Sequence, residues 1–339
     1  MRLRARLAAV VGAVRLPEAV LALRRRGRPA WLTVLNYHRV NVPEAAADVD
    51  AGVIDVTPDG FARQLRFLER HFTPIALGDL LARLDGGELP PNPVLVTFDD
   101  GYRDNLDIAV PVLRRHGIRA TFFIATSYVA ERRLFWWDRI EWIAKHSRRR
   151  RFTLEYPQVR DVDLDVAGGH EHLRQIVKDR RHLDLDRFLT GLAEASGAPW
   201  TPAVEAELVG RLVMSWDDVR ALRAAGMDVG SHTRTHRVLQ TLPSEVLAGE
   251  LAGSKADLEA QLGEPVQAIA YPVGGPVRDE PAILRALEAA GYRLGFSYGT
   301  GLQPLATLDP LDVHRVAVDP VLSHAHFRLL LSLPRLAGY

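Results

Sequence analysis

Two adjacent carboxylates end an apolar run in the segment VLVTFDDG, where Asp99 and Asp100 come directly before Gly101. Strands disfavour aspartate, and two neighbouring negative charges repel each other. Such a pair at the end of a buried strand therefore indicates a chemical role. Because adjacent side chains of an extended chain point to opposite sides, a turn at Gly101 must redirect one carboxylate if both are to act at one point.

Histidines follow two other apolar runs. His232 and His236 are four residues apart in GSHTRTH, and His38 lies in NYHRV. A helical turn would bring the first two imidazoles to one point, and one aspartate beside them would complete a His₂–Asp metal site with open positions. The other aspartate could then act as a general base in metal-assisted hydrolysis of an amide or ester.

Hydrolysis of such a bond also needs an oxyanion stabiliser and a proton donor. The turn sequence at Tyr271, Pro272 and Val273 offers backbone N–H groups, and that of Val273 is the best placed. His38 is the candidate general acid for a leaving amine. Three later histidines compete for this role, and the last two have the helical spacing of surface residues: His314, His324 and His326.

The segments that carry these residues alternate between strand-like and helix-like patterns. Strands are predicted at 31–40, 93–101, 120–126, 227–232, 266–275, 293–299 and 314–318. Helices are predicted at 61–72, 105–118, 215–226, 244–263 and 280–291, with Ser215 as a candidate N-cap and Gly226 as a stop. This alternation predicts a parallel sheet closed into a (β/α) barrel, whose active site forms at the carboxyl ends of the strands.

One segment interrupts the alternation. Residues 131–214 run from the aromatic cluster FWWDRIEW through the basic run SRRRR to an Arg-, His- and Asp-rich stretch. They are expected to form a helical insertion after the third strand, with SRRRR as a solvated loop rather than a site for an anionic partner. Trp136 and its aromatic neighbours either line a sugar-binding groove or anchor the insertion to the barrel.

The composition is that of a globular protein. The 339 residues are 47% hydrophobic and 25% charged, with a formal net charge of +1. This mixed charge gives no indication of a nucleic-acid partner. Because the chain has no cysteine, disulfides and thiolate metal sites are excluded, and a metal must be held by histidine and carboxylate.

Residues 1–28 form an amphipathic or basic segment ahead of a barrel predicted at 29–339. Its apolar residues fall on one helical face: Leu3, Leu7, Val10, Val11 and Val14. A helix packed on the domain, peripheral contact with a membrane surface and a secretion signal are all compatible with this pattern. A cytoplasmic or membrane-associated location is favoured over secretion, and the oligomeric state is left open.

The motifs TFDDG, SHTRTH and AYPVGG, in this order, resemble those of the polysaccharide deacetylases, the family 4 carbohydrate esterases with a NodB homology domain. The resemblance covers roughly 31–130 and 215–320. It implies a distorted (β/α) barrel that removes acetyl groups from N-acetylated sugars of a polysaccharide, peptidoglycan or lipid-linked glycan. The opening NYHRV resembles the subgroup of biofilm poly-N-acetylglucosamine deacetylases.

The resemblance also implies roles for single residues. Asp99 matches the family's catalytic base, and His38 matches the general acid of the biofilm subgroup. Val273 occupies the position whose N–H faces the oxyanion. One divalent cation, with Zn²⁺ expected first and Co²⁺, Ni²⁺, Fe²⁺ or Mn²⁺ also compatible, would be held by Asp100, His232 and His236.

The third motif departs from the family pattern, because QAIAYP lacks the arginine that orients the base aspartate. Arg315, in the late strand HRVAV, is a candidate replacement. Two other functions stay open: a metal-dependent amidohydrolase acting on a non-sugar C–N bond, and a catalytically silent glycan-binding protein.

Overall fold

The computed structural model describes residues 16–26, 31–166, 168–299 and 302–334. The strands are β1 (Trp31–Tyr37), β2 (Arg39–Val40), β3 (Ile54–Val56), β4 (Thr73–Pro74), β5 (Pro93–Phe98), β6 (Ala120–Ile124), β7 (Arg151–Leu154), β8 (Arg160–Asp163), β9 (Asp228–Ser231), β10 (Ala268–Ala270), β11 (Leu294–Tyr298), β12 (Leu302–Pro304) and β13 (Val313–Ala317). The helices are α1 (Leu16–Arg24), α2 (Pro58–His71), α3 (Leu77–Leu84), α4 (Val110–Arg115), α5 (Thr126–Glu131), α6 (Trp136–His146), α7 (Gly169–Asp179), α8 (Leu185–Ser196), α9 (Pro202–Leu212), α10 (Trp216–Ala224), α11 (Ser244–Leu262), α12 (Pro281–Ala290) and α13 (His324–Ser332).

Within these described ranges, seven parallel strands close into a barrel in the order β1, β5, β6, β9, β10, β11 and β13. The ring closes because β1 pairs with β5 on one side and with β13 on the other. The short strands β4 and β12 extend the sheet beyond β5 and β1. The predicted distorted (β/α) barrel is confirmed.

The barrel strands are apolar throughout because both of their faces are buried. All six residues of β5 are buried. Leu95 packs inside the barrel with Phe123 and Phe296, whereas its neighbours Val94 and Val96 belong to the layer between barrel and helices. Because side chains alternate along each strand, one apolar strand contributes both to the core inside the barrel and to the layer between the barrel and the helices.

The helix α10 begins as the sequence predicts. The Ser215 hydroxyl accepts from the backbone N–H of Asp218, whose carboxylate accepts in return from the N–H of Ser215. The chain leaves the helix through Gly226, whose φ of 84° favours glycine. This helix leads directly into β9, which carries the first predicted metal histidine at its end.

The insertion follows the third barrel strand and is largely helical, as predicted, but it also contains two short strands that the sequence pattern did not predict. Besides α6 to α9 it contains an antiparallel hairpin of β7 and β8, joined by a hydrogen bond from Thr153 to Asp161 at 2.8 Å and an ion pair of Arg151 with Asp163 at 2.9 Å. The alternation in RFTL and RDVD turns Leu154 and Val162 to the core, which favours strands over helix. The arginines of the SRRRR run at 148–151 are exposed, as predicted for a solvated loop.

The N-terminal helix α1 packs against the last helix. Leu21 of α1 is fully buried, and the Arg24 guanidinium donates to the backbone carbonyls of Leu331 and Ser332 in α13. The predicted amphipathic residues Leu3 to Val14 lie outside the described residues. Within those residues, no helix combines the length and the apolar character needed to span a bilayer.

Candidate active site

The carboxyl ends of the barrel strands border a cavity of about 400 Å³. It is lined by all five residues predicted for metal binding and acid–base chemistry: His38, Asp99, Asp100, His232 and His236. These residues are far apart in sequence and follow β1, β5 and β9. The parallel barrel brings them together because its strand ends share one rim.

The two aspartates diverge because the backbone turns at Asp100 and Gly101. Asp100 has a φ of 77° and Gly101 a φ of 99°. The sequence required a turn at Gly101; the structure begins it one residue earlier, in a non-glycine residue. Left-handed backbone costs free energy for a residue with a Cβ atom and is concentrated at functional sites. As a result, both carboxylates are buried yet face different partners.

Asp100 lies between the two histidines. Its Oδ1 atom is 3.5 Å from Nε2 of His232 and 3.4 Å from Nε2 of His236. The Nδ1 atom of His232 is 2.8 Å from the carbonyl oxygen of Ala270 and donates to it, which leaves the Nε2 lone pair directed at Asp100. Among the described residues, this is the group of carboxylate and histidine ligands that could hold a metal ion, with all ligand atoms within 4.8 Å of one another.

The donor set fits a divalent cation. Oδ1 of Asp100 is buried without a hydrogen-bond partner among the described residues, and a buried acceptor of this kind costs free energy unless another group satisfies it. Burial lowers the pKa of His232 to about 4 and also lowers that of His236, so both are neutral at pH 7. Burial, together with the charge of Asp99 and against that of His38, raises the pKa of Asp100 to about 8. A cation can take the place of the proton that this carboxyl otherwise holds.

The loop that presents His236 differs from the predicted helical turn. Thr233 and His236 both have left-handed backbone, with φ of 64° and 52°. The buried carboxylate of Glu250 in α11 accepts from the backbone N–H groups of Arg234 and Thr235, each at 2.9 Å. Glu250 therefore holds an irregular loop in place of a helical turn.

Asp99 is fixed by two donors. Arg315 donates from Nη1 to Oδ1 at 2.7 Å, and Asn36 donates from Nδ2 to Oδ2 at 3.1 Å. Burial alone would raise the pKa of the Asp99 carboxyl, but the charge of Arg315, then that of His232, and the hydrogen bond lower it to about 2. Asp99 therefore stays ionised beside the cavity. Arg315 comes from β13, far in sequence from the third motif.

His38 is held from the side opposite the cavity. Its backbone N–H donates to Oδ2 of Asp55 in β3, and its Nδ1 atom is 3.3 Å from the same oxygen. Burial would lower the pKa of His38, but the negative charge and hydrogen bond of Asp55, with the charges of Asp100 and Asp99, raise it to about 9. His38 is therefore protonated at neutral pH and has its Nε2 atom toward the cavity rim.

Of the three residues in the predicted oxyanion turn, only Val273 borders the cavity, whereas Tyr271 and Pro272 are buried behind it. Val273 lines the cavity in left-handed backbone with a φ of 61°. Tyr271 is buried, and its hydroxyl donates to the carbonyl of Leu311 at 2.7 Å, pointing away from the predicted chemistry. Pro272 is buried as well. The backbone N–H of Tyr271 donates to the carbonyl of Phe296 at 2.9 Å, and Pro272 has no N–H. The oxyanion role of the turn therefore stays a prediction for Val273.

The aromatic cluster borders the cavity as a packed wall. Trp136 is only 2% exposed, and its Nε1 atom donates to the carbonyl of His236 at 3.3 Å. The ring of Trp137 lies 4.5 Å from that of His236. A ring so buried offers no free face to a sugar, so the structure favours the anchoring alternative for Trp136 over stacking.

The competing histidines lie elsewhere. His314 pairs with Asp312 at 3.5 Å, and His324 contacts the ring of Phe67 on α2. Sequence reasoning missed four residues that support the site: Asn36, Asp55, Glu250 and Tyr298. Asn36 opens the NYHRV motif and Tyr298 ends β11, so a polar residue at the carboxyl end of a predicted barrel strand was the available signal for both. Asp55 and Glu250 carry no such signal.

Comparison with known proteins identifies the family. The family model described as polysaccharide deacetylase matches residues 86–183 and 186–295, more than half of the chain. The chain belongs to the polysaccharide deacetylase family. It is therefore a hydrolase that acts on C–N bonds, and the family is metal-dependent. The match spans β5, β6, β9 and β10, and two of these strands, β5 and β9, lead into the proposed base and metal residues.

Individual polysaccharide deacetylases show the extent of the similarity. YxkH of Bacillus subtilis, named as a polysaccharide deacetylase, is 22% identical over 304 residues, which cover 88% of this chain and 76% of that protein. The poly-beta-1,6-N-acetyl-D-glucosamine N-deacetylase of Staphylococcus epidermidis is 29% identical over 104 residues, which cover 28% of this chain and 36% of that enzyme. The deacetylase PplD of Streptococcus pyogenes, solved with acetate, has the same fold, with a TM-score of 0.56 at 20% identity over 87% of this chain and 96% of that one.

Proposed function

We propose that this polysaccharide deacetylase removes the acetyl group from N-acetylated sugars with one divalent cation held by Asp100, His232 and His236. The observation that carries the proposal is the unpartnered buried Oδ1 atom of Asp100, which lies between two imidazole nitrogens at 3.5 and 3.4 Å. Beside it, Asp99 is kept ionised by Arg315. A ligand set and a separate base within one cavity match the requirements of amide hydrolysis.

The cation would supply a Lewis acid that polarises the acetyl carbonyl and lowers the pKa of a water molecule. Asp99 is the proposed base that takes the proton from the attacking water. Its orientation is fixed from both oxygens by Arg315 and Asn36. The N–H of Val273, in its strained turn, is proposed to donate to the oxyanion.

His38 is the proposed general acid. Its pKa of about 9 keeps it protonated, and Asp55 holds the far side of the ring. It can therefore deliver a proton from Nε2 to the leaving nitrogen as the C–N bond breaks. The amine product and acetate would then leave through the cavity mouth.

We propose a glycan of N-acetylglucosamine as the substrate. The support is the family and the substrate for which the Staphylococcus epidermidis relative is named, although the similarity to that relative covers only part of either chain. A non-sugar amide is the second candidate within the same chemistry. The competent residues at all five metal and acid–base positions argue against the alternative of a catalytically silent glycan-binding protein.

The test combines metal content with acetate release. Purified protein is expected to hold about one divalent ion per chain, and the double variant His232→Ala, His236→Ala is expected to hold almost none. The His314→Ala variant, altered outside the cavity, serves as the control and should retain the metal. Acetate release is then measured on β-1,4- and β-1,6-linked N-acetylglucosamine pentamers and on N-acetylated non-sugar amides. Full metal retention in the double variant would sink the proposed site, and hydrolysis of non-sugar amides alone would favour the second candidate.

We also propose that the face formed by α1, α2 and α13 contacts an anionic membrane surface. Leu16 and Leu23 of α1 are 40% and 71% exposed. Arg63 and Arg66 of α2 are exposed near His324, whose pKa is lowered by burial and then by neighbouring arginines. Exposed leucines on α1 and exposed arginines on α2, which contacts α1, suit the boundary between acyl chains and anionic headgroups.

Vesicle sedimentation tests this contact. The protein is expected to pellet with vesicles containing phosphatidylglycerol and to stay in solution with pure phosphatidylcholine. The Arg63→Glu, Arg66→Glu variant should lose most of the binding, whereas Arg148→Glu, Arg149→Glu in the exposed SRRRR run is the matched control. Equal binding by both variants would contradict the proposal.

A further inference from the structure

Tyr298, at the end of β11, stands between the proposed acid and the proposed base. Its hydroxyl oxygen is 2.7 Å from Nδ2 of Asn36 and 3.4 Å from Nε2 of His38. The residue lines the cavity and is half-buried. Neither the sequence motifs nor the proposed reaction gives it a role.

The neighbours of Asn36 fix the direction of these hydrogen bonds. Oδ1 of Asn36 accepts from Arg315 at 2.6 Å and from the Thr97 hydroxyl at 2.9 Å. Its Nδ2 atom donates one proton to Oδ2 of Asp99 and the other to the Tyr298 hydroxyl. A flipped amide would set its oxygen against the Asp99 carboxylate and its nitrogen against a guanidinium, so the flip is excluded.

The Tyr298 hydroxyl therefore accepts from Asn36, and its own proton is available to another acceptor. Burial and the nearby charge of Asp99 raise the pKa of Tyr298, so the group remains a hydroxyl. A hydroxyl can donate to a neutral imidazole nitrogen and accept from a protonated one. It can thus contact Nε2 of His38 before and after that atom gives up its proton.

The ring of Tyr298 is held in place on two sides. A Cβ atom on Gly274 would lie 1.9 Å from Cδ2 of Tyr298, so the ring requires glycine at this turn position. The Arg315 guanidinium carbon lies 5.1 Å from the ring centroid, within the range of a cation–π contact. The turn that carries Val273 and the arginine that orients Asp99 therefore also fix the Tyr298 hydroxyl.

We infer that Tyr298 is a positioning residue that fixes Nε2 of His38, and that Asn36 ties this contact to the Asp99 carboxylate. His38 is then held at Nδ1 by Asp55 and at Nε2 by Tyr298. A single amide side chain sets the distance between the acid and the base. The inference rests on the acid role of His38 in the proposed function.

The Tyr298→Phe variant tests the inference, with Tyr292→Phe as the matched control. Tyr292 is also a buried tyrosine, but its hydroxyl contacts Ser254 and Leu251, away from the cavity. On the N-acetylglucosamine pentamer that the wild type hydrolyses, Tyr298→Phe is expected to lower kcat about 10-fold with little change in KM, the size of one lost hydrogen bond. Tyr292→Phe should leave both constants unchanged.

Nitrogen NMR of the Zn²⁺-loaded protein gives a readout that does not depend on activity. With the His38 signals assigned through a His38→Gln variant, the Nε2 resonance of neutral His38 is expected to move downfield in Tyr298→Phe, because its donor is lost, while Nδ1 stays in place. An unchanged Nε2 resonance would overturn the inference. A raised KM with unchanged kcat would also overturn it, since Tyr298 would then bind substrate. Absence of deacetylation in the wild type would count against the proposed function, while the NMR comparison would still decide the role of Tyr298.

Discussion

Two buried polar clusters begin in the same loop and differ in how completely they are hydrogen-bonded. At the barrel rim, Asp99 is paired with Arg315, but Oδ1 of Asp100 has no hydrogen-bond partner among the described residues. Where the insertion joins the barrel, the Tyr102 hydroxyl accepts from Nε1 of Trp137 at 2.6 Å and donates to Asp138 at 2.8 Å. The other oxygen of Asp138 accepts from the backbone N–H of Asp50 at 3.0 Å.

This difference in hydrogen bonding indicates that the rim cluster carries out the chemistry and that the junction cluster supports the fold. The three side chains of the junction cluster (Tyr102, Trp137 and Asp138) satisfy one another, and such closed networks stabilise one arrangement of the chain. The rim cluster leaves a ligand atom open to a cavity, which is unfavourable in the absence of a bound group. We therefore expect substitutions at the rim to change activity, with or without an effect on stability, and substitutions at the junction to change stability alone.

The largest expected effect is the loss of the base. Asp99→Asn should lower kcat about 10³-fold, because the amide cannot accept the proton of the attacking water. Metal content should stay the same, since Asp99 is not in the proposed ligand set, and this is checked by elemental analysis alongside acetate release. Retained activity would remove Asp99 from the base role, and loss of the metal would mean that Asp99 is a ligand.

Arg315 is the rim residue whose removal should change both stability and activity. Arg315→Met leaves the Asp99 carboxylate buried without its cation, which should lower the free energy of unfolding by about 3–5 kcal/mol. The pKa of Asp99, now about 2, should rise because burial is no longer offset. The acid limb of the kcat/KM profile should then move to higher pH, since the base must be ionised. An unchanged acid limb would show that Arg315 does not control the base.

The sequence predicted the barrel and the main site residues because these are local signals. Asp99 and Asp100 follow directly on an apolar run, and the barrel topology places every such strand end on one rim. Asp55 and Glu250 could not be predicted in the same way. Each reaches the site through packing between distant elements, and a carboxylate in a short strand or in a long helix is ordinarily a surface residue.

The insertion contains elements that the sequence pattern did not predict. The β7–β8 hairpin was missed because RFTL and RDVD are too short for a decisive periodic pattern. The place of Tyr271 in the AYPVGG motif does not determine the direction of its side chain. Its hydroxyl is directed to Leu311, a contact between residues 40 positions apart.

A smaller effect on activity is expected when the charge beside the proposed general acid, His38, is removed. His38 has a pKa of about 9, raised chiefly by Asp55 against the effect of burial. A group with a raised pKa is protonated below that pKa, so activity should fall as pH rises toward 9; the nearby cation would move this limb to lower pH rather than higher. Asp55→Asn removes the main negative charge and should move the alkaline limb down by about one pH unit or more. A limb that stays in place would assign it to a group other than His38.

The smallest effect on activity is expected at the junction cluster. Tyr102→Phe leaves the Trp137 N–H and one Asp138 oxygen buried without their partner, which should lower the free energy of unfolding by about 1–3 kcal/mol in a denaturant titration. Hydrogen exchange should rise first in α6, because the lost bonds attach that helix to the barrel. Acetate release by the folded variant should stay within about twofold of the wild type. Tyr102 attaches the insertion to the barrel and is not one of the proposed acid, base or metal residues. A large loss of kcat at unchanged stability would place Tyr102 with the chemistry, and the distinction between a closed supporting cluster and an open catalytic one would fail.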